Sequence, residues 1–266
     1  MSKMSINTDR KIGIFGFSGY GKSFLGMSLL AMIRQKWKVY IYNTDAEKLA
    51  GKINLSNITI YDAQTDSIDE LNKFILTVRA SKSNCFIYIV DIDVFTDGLS
   101  HTSPKLNIVK NLMSTGRHQR IGLIYESKQM QHIPSKVLSN TNLFFIGNFT
   151  ESNDLKKLLN YARKNEIMQL TDHKFIEFDR WTLERNIIRF DASTKSIEIV
   201  KRLKPMYESE SNEQGIRESQ HDDTNRESRV NEEDESSETQ GDTRAADRKT
   251  SQTQKSGKKK SKKDSK

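Results

Sequence analysis

The sequence has a single cysteine, Cys85, among its 266 residues. That scarcity excludes a disulfide framework and any zinc site built on several thiolates. No run reaches the ~20 apolar residues of a membrane-spanning helix. The opening stretch, Met1-Ser-Lys-Met-Ser-Ile-Asn-Thr8, lacks an apolar core of signal-peptide length, so a secreted protein is not expected. No internal repeat is visible, and no Asn-Lys-x-Asp run follows that would read a guanine base. After residue 170 there is no clear winged-helix segment. These absences point to an intracellular, soluble, moderately basic protein, with 43 Lys and Arg against 35 Asp and Glu and a formal charge of +8.

That average conceals two kinds of chain. Residues 205–266 contain only six apolar residues: Met206, Tyr207, Ile216, Val230, Ala245 and Ala246. A segment so poor in apolar side chains does not offset the entropy of ordering and is expected to be disordered. Its acidic strip, 205–254, has net charge −8, and its basic end, 255–266, has +6. Residues 1–204 then carry 30 basic and 20 acidic side chains, a net of +10. A basic surface of that size suits sequence-independent contact with nucleic-acid backbone. The Lys-rich end reads as a DNA-contacting or localisation arm, or as a solvated charge run paired with the acidic strip.

Residues 1–204 read as one domain of alternating strands and helices. Strands are expected at 11–15, 38–43, 57–61, 86–91, 121–125 and 142–146, and helices at 22–34, 68–80, 105–114 and 154–163. Ser67-Ile-Asp-Glu70 is a capping-box pattern opening the second helix. Strands separated by helices imply a parallel sheet covered on both faces. Three tight segments, 174–179, 186–190 and 196–200, with a turn at 191–195, predict a small antiparallel appendix. The fold class is α/β.

Gly16-Phe-Ser18-Gly19-Tyr-Gly21-Lys22-Ser23 matches the phosphate-binding pattern G-x-x-x-x-G-K-[ST]. An apolar strand precedes it and a helix follows, the context that the motif requires. Its backbone N–H groups would curl around phosphate oxygens at a helix N-terminus. Lys22 would reach the β- and γ-phosphates of ATP, and the Ser23 hydroxyl would ligate Mg²⁺. Asp91, at the end of the apolar run Phe86-Ile-Tyr-Ile-Val, is the expected acidic partner of the metal. ATP-hydrolysing members of this class often place Glu next, to activate water. Ile92 stands there instead. Asp93 is the next carboxylate, on the same side as Asp91 if the strand continues. Either Asp93 is the base, or hydrolysis is slow and binding matters more. Ligands of open parallel sheets bind at the carboxyl ends of the strands. That rule places Gly16–Ser23, Asp91 and Ser127–Gln129 on one edge.

The P-loop, Asp91, Gly116-Arg117-His118, the Ser127-Lys128-Gln129 strand end, and the Val137–Phe144 helix turn and strand together resemble the FtsK–HerA superfamily. The likeness spans about residues 11–200 and is strongest to the genome-packaging ATPases of double-stranded DNA viruses, archaeal and poxvirus-type members included. It implies a RecA-like P-loop ATPase core, ATP and Mg²⁺ as cofactors, and double-stranded DNA as partner. It also implies a homo-oligomeric ring, association with capsid or portal-vertex proteins, and an intracellular or virion-associated location. Arg117 or Arg120, with Arg117 preferred, would be an arginine finger acting on a neighbouring subunit. Cations at a helix C-terminus are the alternative reading of both. His118 has no cluster of metal ligands and reads as a capping or packing residue. The family's γ-phosphate sensor is usually Gln, where this chain has Lys128 with Gln129 beside it. Two rival functions remain: a plasmid or cellular DNA-transfer ATPase of the same superfamily, and a nucleotide-binding switch or scaffold with little hydrolysis.

Overall fold

The computed structural model describes residues 6–43, 56–81, 84–171, 173–191 and 196–206. The tail expected to be disordered lies outside these residues apart from 205 and 206, as does the 191–195 turn apart from Asp191. The strands are β1 (Lys11–Phe15), β2 (Lys38–Asn43), β3 (Ile58–Asp62), β4 (Cys85–Ile89), β5 (Ile121–Ser127), β6 (Leu143–Ile146), β7 (Lys174–Asp179), β8 (Arg185–Asp191) and β9 (Ser196–Arg202). They form one sheet in the order β3-β2-β4-β5-β1-β6-β7-β8-β9. From β3 to β6 every pairing is parallel. Residues of β1, β4, β5 and β6 are buried throughout. This explains why those segments read as continuous apolar runs and not as alternating ones.

The helices are α1 (Lys22–Ile33), α2 (Ile68–Ser81), α3 (Ile92–Thr96), α4 (Asn107–Thr115), α5 (Ser135–Asn140), α6 (Ser152–Leu158) and α7 (Lys164–Met168). Short 3₁₀ turns at Pro104–Leu106 and Gly116–Gln119 flank α4. No helix of the described residues is long and apolar enough to cross a membrane.

Four expectations change in detail. The antiparallel strands are present, but they extend the main sheet: β7 pairs with β6 antiparallel, and β8 and β9 follow. The helix expected at 154–163 starts two residues earlier and stops at Leu158 as α6, and α7 lies wholly beyond the expected range. Between them Tyr161 stacks on Phe144, ring centres 4.2 Å apart, which draws 160–162 out of helical register. The strand expected to run to Asp91 ends at Ile89. The capping box is half made: Ser67 Oγ accepts from the Asp69 N–H, while Glu70 reaches back to the N–H groups of Gln64 and Thr65.

Candidate active site

The P-loop connects β1 to α1 at the carboxyl edge of the sheet. Gly19 and Gly21 have φ of +82° and +90°, a region in which side chains with Cβ are strained. The loop is anchored from both sides: Gly16 N–H donates to Ser127 O (3.3 Å) and Phe17 N–H to Asn148 O (3.4 Å). Behind it, the Tyr20 hydroxyl donates to Lys174 O (2.8 Å). Phe17, Ser18, Gly19 and Ser23 face solvent. α1 has no side-chain cap and no acidic residue in its first turn. Its leading N–H groups and positive dipole end are therefore left for an anion. Lys22 is buried and folds back so that Nζ donates to Phe17 O (3.1 Å). Burial holds its pKa below the usual lysine value, against the pull of Asp91 and Glu126.

β5 lies between β1 and β4, so the P-loop strand and the strand leading to Asp91 are two strand spacings apart, about 10 Å. The end of β5 fills the gap with charged side chains. Lys128 Nζ pairs with Asp91 Oδ2 at 2.9 Å, which raises the lysine pKa. Asp91 sits in a left-handed turn (φ +48°) ahead of α3, a conformation Asp tolerates better than most residues. Asp93 is therefore a first-turn residue of α3 and not a strand residue. Its Oδ1 accepts the Lys128 N–H at 3.2 Å, and burial raises its pKa. Ile92 is fully buried in the core. Gln129 closes the turn through its backbone: its N–H donates to Ser127 Oγ and its carbonyl accepts from it.

One charged residue of the site was not anticipated. Glu126 is fully buried, with Oε2 accepting from Ser23 Oγ at 2.9 Å and Oε1 accepting from the Tyr88 hydroxyl. Burial pushes its pKa up to about 7, against the lowering effect of both hydroxyls. The sequence signal was a carboxylate inside a run of apolar residues, one position before the polar strand end that drew attention. The donor set of hydroxyl and carboxylate oxygens suits Mg²⁺. Among the described residues no three His, Cys, Asp or Glu side chains form a ready-made cage. That is compatible with an ion bound through one or two protein oxygens together with phosphates.

The strand order and the cradle identify the architecture. The fold is that of a P-loop NTPase. It is similar to the genome packaging NTPase B204 of Sulfolobus turreted icosahedral virus 2 in complex with ATP-gammaS, at TM-score 0.51 and 16% identity, covering 75% of this chain and 100% of that one. The sulfate complex of the same protein gives TM-score 0.52 at 16% identity with the same coverage. B204, the DNA-packaging ATPase of Sulfolobus turreted icosahedral virus, gives 0.53 at 16% identity, again over 75% and 100%. At this identity the likeness is one of fold, and it agrees with the packaging-ATPase resemblance read from the motifs. No protein-family profile matches the chain. No curated protein matches it in sequence.

The Arg-His stretch lies elsewhere in the P-loop NTPase fold. Arg117, His118 and Arg120 are exposed and precede β5, at the amino edge of the sheet. They stand a strand length from their own cradle. Arg117 and His118 line a cavity of about 600 Å³ together with Lys11, Asn142, Arg180 and Trp181. The structure thus brings Gly16–Ser23, Asp91, Asp93, Lys128 and Gln129 to one edge and leaves Arg117 at the other.

Proposed function

We propose that this chain is an ATPase that moves double-stranded DNA, working as a homo-oligomeric ring in packaging a viral genome. One observation carries the reading: a P-loop with Lys22 and Ser23 opens onto Asp91, Asp93 and Glu126 at a single sheet edge. Lys22, which donates to Phe17 O in this structure, would turn from that carbonyl to the phosphates of ATP. The α1 N-terminus holds them by its N–H groups. Mg²⁺, held by Ser23 with an acidic partner, would neutralise charge on the phosphate oxygens. Asp93, in the first turn of α3 with Oδ1 accepting the Lys128 N–H, is the candidate acceptor for the proton of attacking water. Lys128, paired with Asp91 at the end of β5, is the candidate contact to the γ-phosphate. Arg117 stands too far from its own cradle to serve it, so any role as a finger is in trans. The +10 charge of residues 1–204 favours backbone contact with DNA. Capsid or portal-vertex proteins are the expected assembly partners, and the virion or the infected cell the expected location.

The test is ATP turnover of purified protein with and without duplex DNA, beside Lys22→Ala. Turnover stimulated by DNA and lost in Lys22→Ala is the expected result. Nucleotide binding with no turnover at any DNA concentration would sink the motor reading. That outcome would favour the second reading, a nucleotide-binding switch. Its support is specific: Ile92 fills the core where related ATPases place Glu, and Lys128 neutralises Asp91.

A further inference from the structure

We propose that Glu126, and not Asp91, is the protein carboxylate that meets Mg²⁺ beside Ser23. The assignment rests on the nucleotide-binding reading above and names a residue that the motif pattern does not supply.

Three observations carry it. The first is position. Glu126 lies on β5 opposite Ile14 of β1, one strand spacing from the strand that leads into the P-loop, whereas Asp91 lies two away. The second is geometry. Ser23 Oγ and Glu126 Oε2 are 2.9 Å apart. Two adjacent oxygens of an octahedral Mg²⁺ shell, each about 2.1 Å from the ion, are separated by about 3 Å. The Tyr88 hydroxyl binds the other carboxylate oxygen and fixes the group's orientation. A hydrogen bond from behind to a ligating carboxylate is how proteins aim such groups.

The third is charge. Asp91 already has a cation, Lys128, at 2.9 Å. Glu126 is fully buried and accepts from the neutral hydroxyls of Ser23 and Tyr88, and among the described residues no cation forms a salt bridge with it. The Lys22 ammonium, although near, donates to a backbone carbonyl. A buried carboxylate without a paired cation is costly, and a divalent ion at Ser23 would supply the missing charge. Asp91 and Lys128 then form a neutral pair beside the ion.

The experiment is a Mn²⁺ titration of full-length protein saturated with ATP-gammaS, with free Mn²⁺ read by electron paramagnetic resonance. Binding of a fluorescent ATP analogue in EDTA controls for an intact cradle. Glu126→Gln is expected to weaken Mn²⁺ binding about tenfold or more, and Asp91→Asn by less than about threefold. If Glu126→Gln binds Mn²⁺ as tightly as wild type, or Asp91→Asn loses as much, the assignment is overturned. If Glu126→Gln loses nucleotide even in EDTA, Glu126→Asp decides. Weakened Mn²⁺ with intact EDTA binding supports the assignment, and unchanged Mn²⁺ binding overturns it. A wild-type protein that binds no nucleotide in either condition removes the enzymatic reading itself, and this assignment with it. That outcome is distinct from an indifferent Glu126.

Discussion

Lys11 illustrates how a single cation is held inside this sheet. It is the first residue of β1, is almost fully buried, and donates from Nζ to Ile121 O at 2.6 Å. Burial lowers its pKa to about 8, against the opposing pull of Asp9. Between pH 8 and 10.5 the unfolded chain holds this proton and the folded chain has released it. Stability from this residue therefore rises with pH across that window. Relative to Lys11→Met, wild-type unfolding free energy should gain up to about 3 kcal/mol from pH 8 to 10.5. Urea unfolding at stepped pH measures it. A difference between the two proteins that stays flat or falls refutes the lysine's displaced titration.

The next scale is the contact between α1 and the two strands beneath it. Gly26 lets the helix lie directly on β4 and β5: a Cβ there would stand 2.6 Å from Glu126 Oε1 and would collide with the Tyr88 hydroxyl. Gly26→Ala is expected to destabilise the protein by about 1–3 kcal/mol through overpacking. An unfolding midpoint equal to or above wild type would refute that close approach. Had helix propensity alone decided, alanine would be the better residue. The same contact shows what the sequence revealed and what it withheld. The strand–P-loop–helix unit was legible because its chemistry is local: glycines at fixed spacing between an apolar run and a helix. Glu126 was not legible as a site residue. Its importance arises only because β5 inserts between β1 and β4, and strand order is not written in spacing. The α3 turn was missed for a similar reason. Asp91 adopts a left-handed conformation that an apolar run ending in Asp does not announce, so Asp93 reaches the site from a helix. Arg117 was legible as a cation at a helix end, but its sheet edge emerged only from the direction of β5.

At the scale of the molecule, the two candidate phosphate-handling regions lie at opposite ends of the parallel strands. Lys22 belongs to the carboxyl edge, and Arg117 lies beside Lys11 and Arg180 at the amino edge. Mixing Arg117→Ala with Lys22→Ala subunits should therefore restore part of the turnover that each lacks alone, because an intact cradle can meet an intact arginine across a junction. A mixture as inactive as its components would argue against an arginine supplied by a neighbour. In the ring proposed above, this separation would give each subunit a direction, like an arrow with a socket at one end and a plug at the other. A head-to-tail junction seats the plug of one subunit in the socket of the next. An open row always leaves one socket empty, whatever its length, and only a closed circle leaves none. Activity per subunit should then measure how completely the circle has closed.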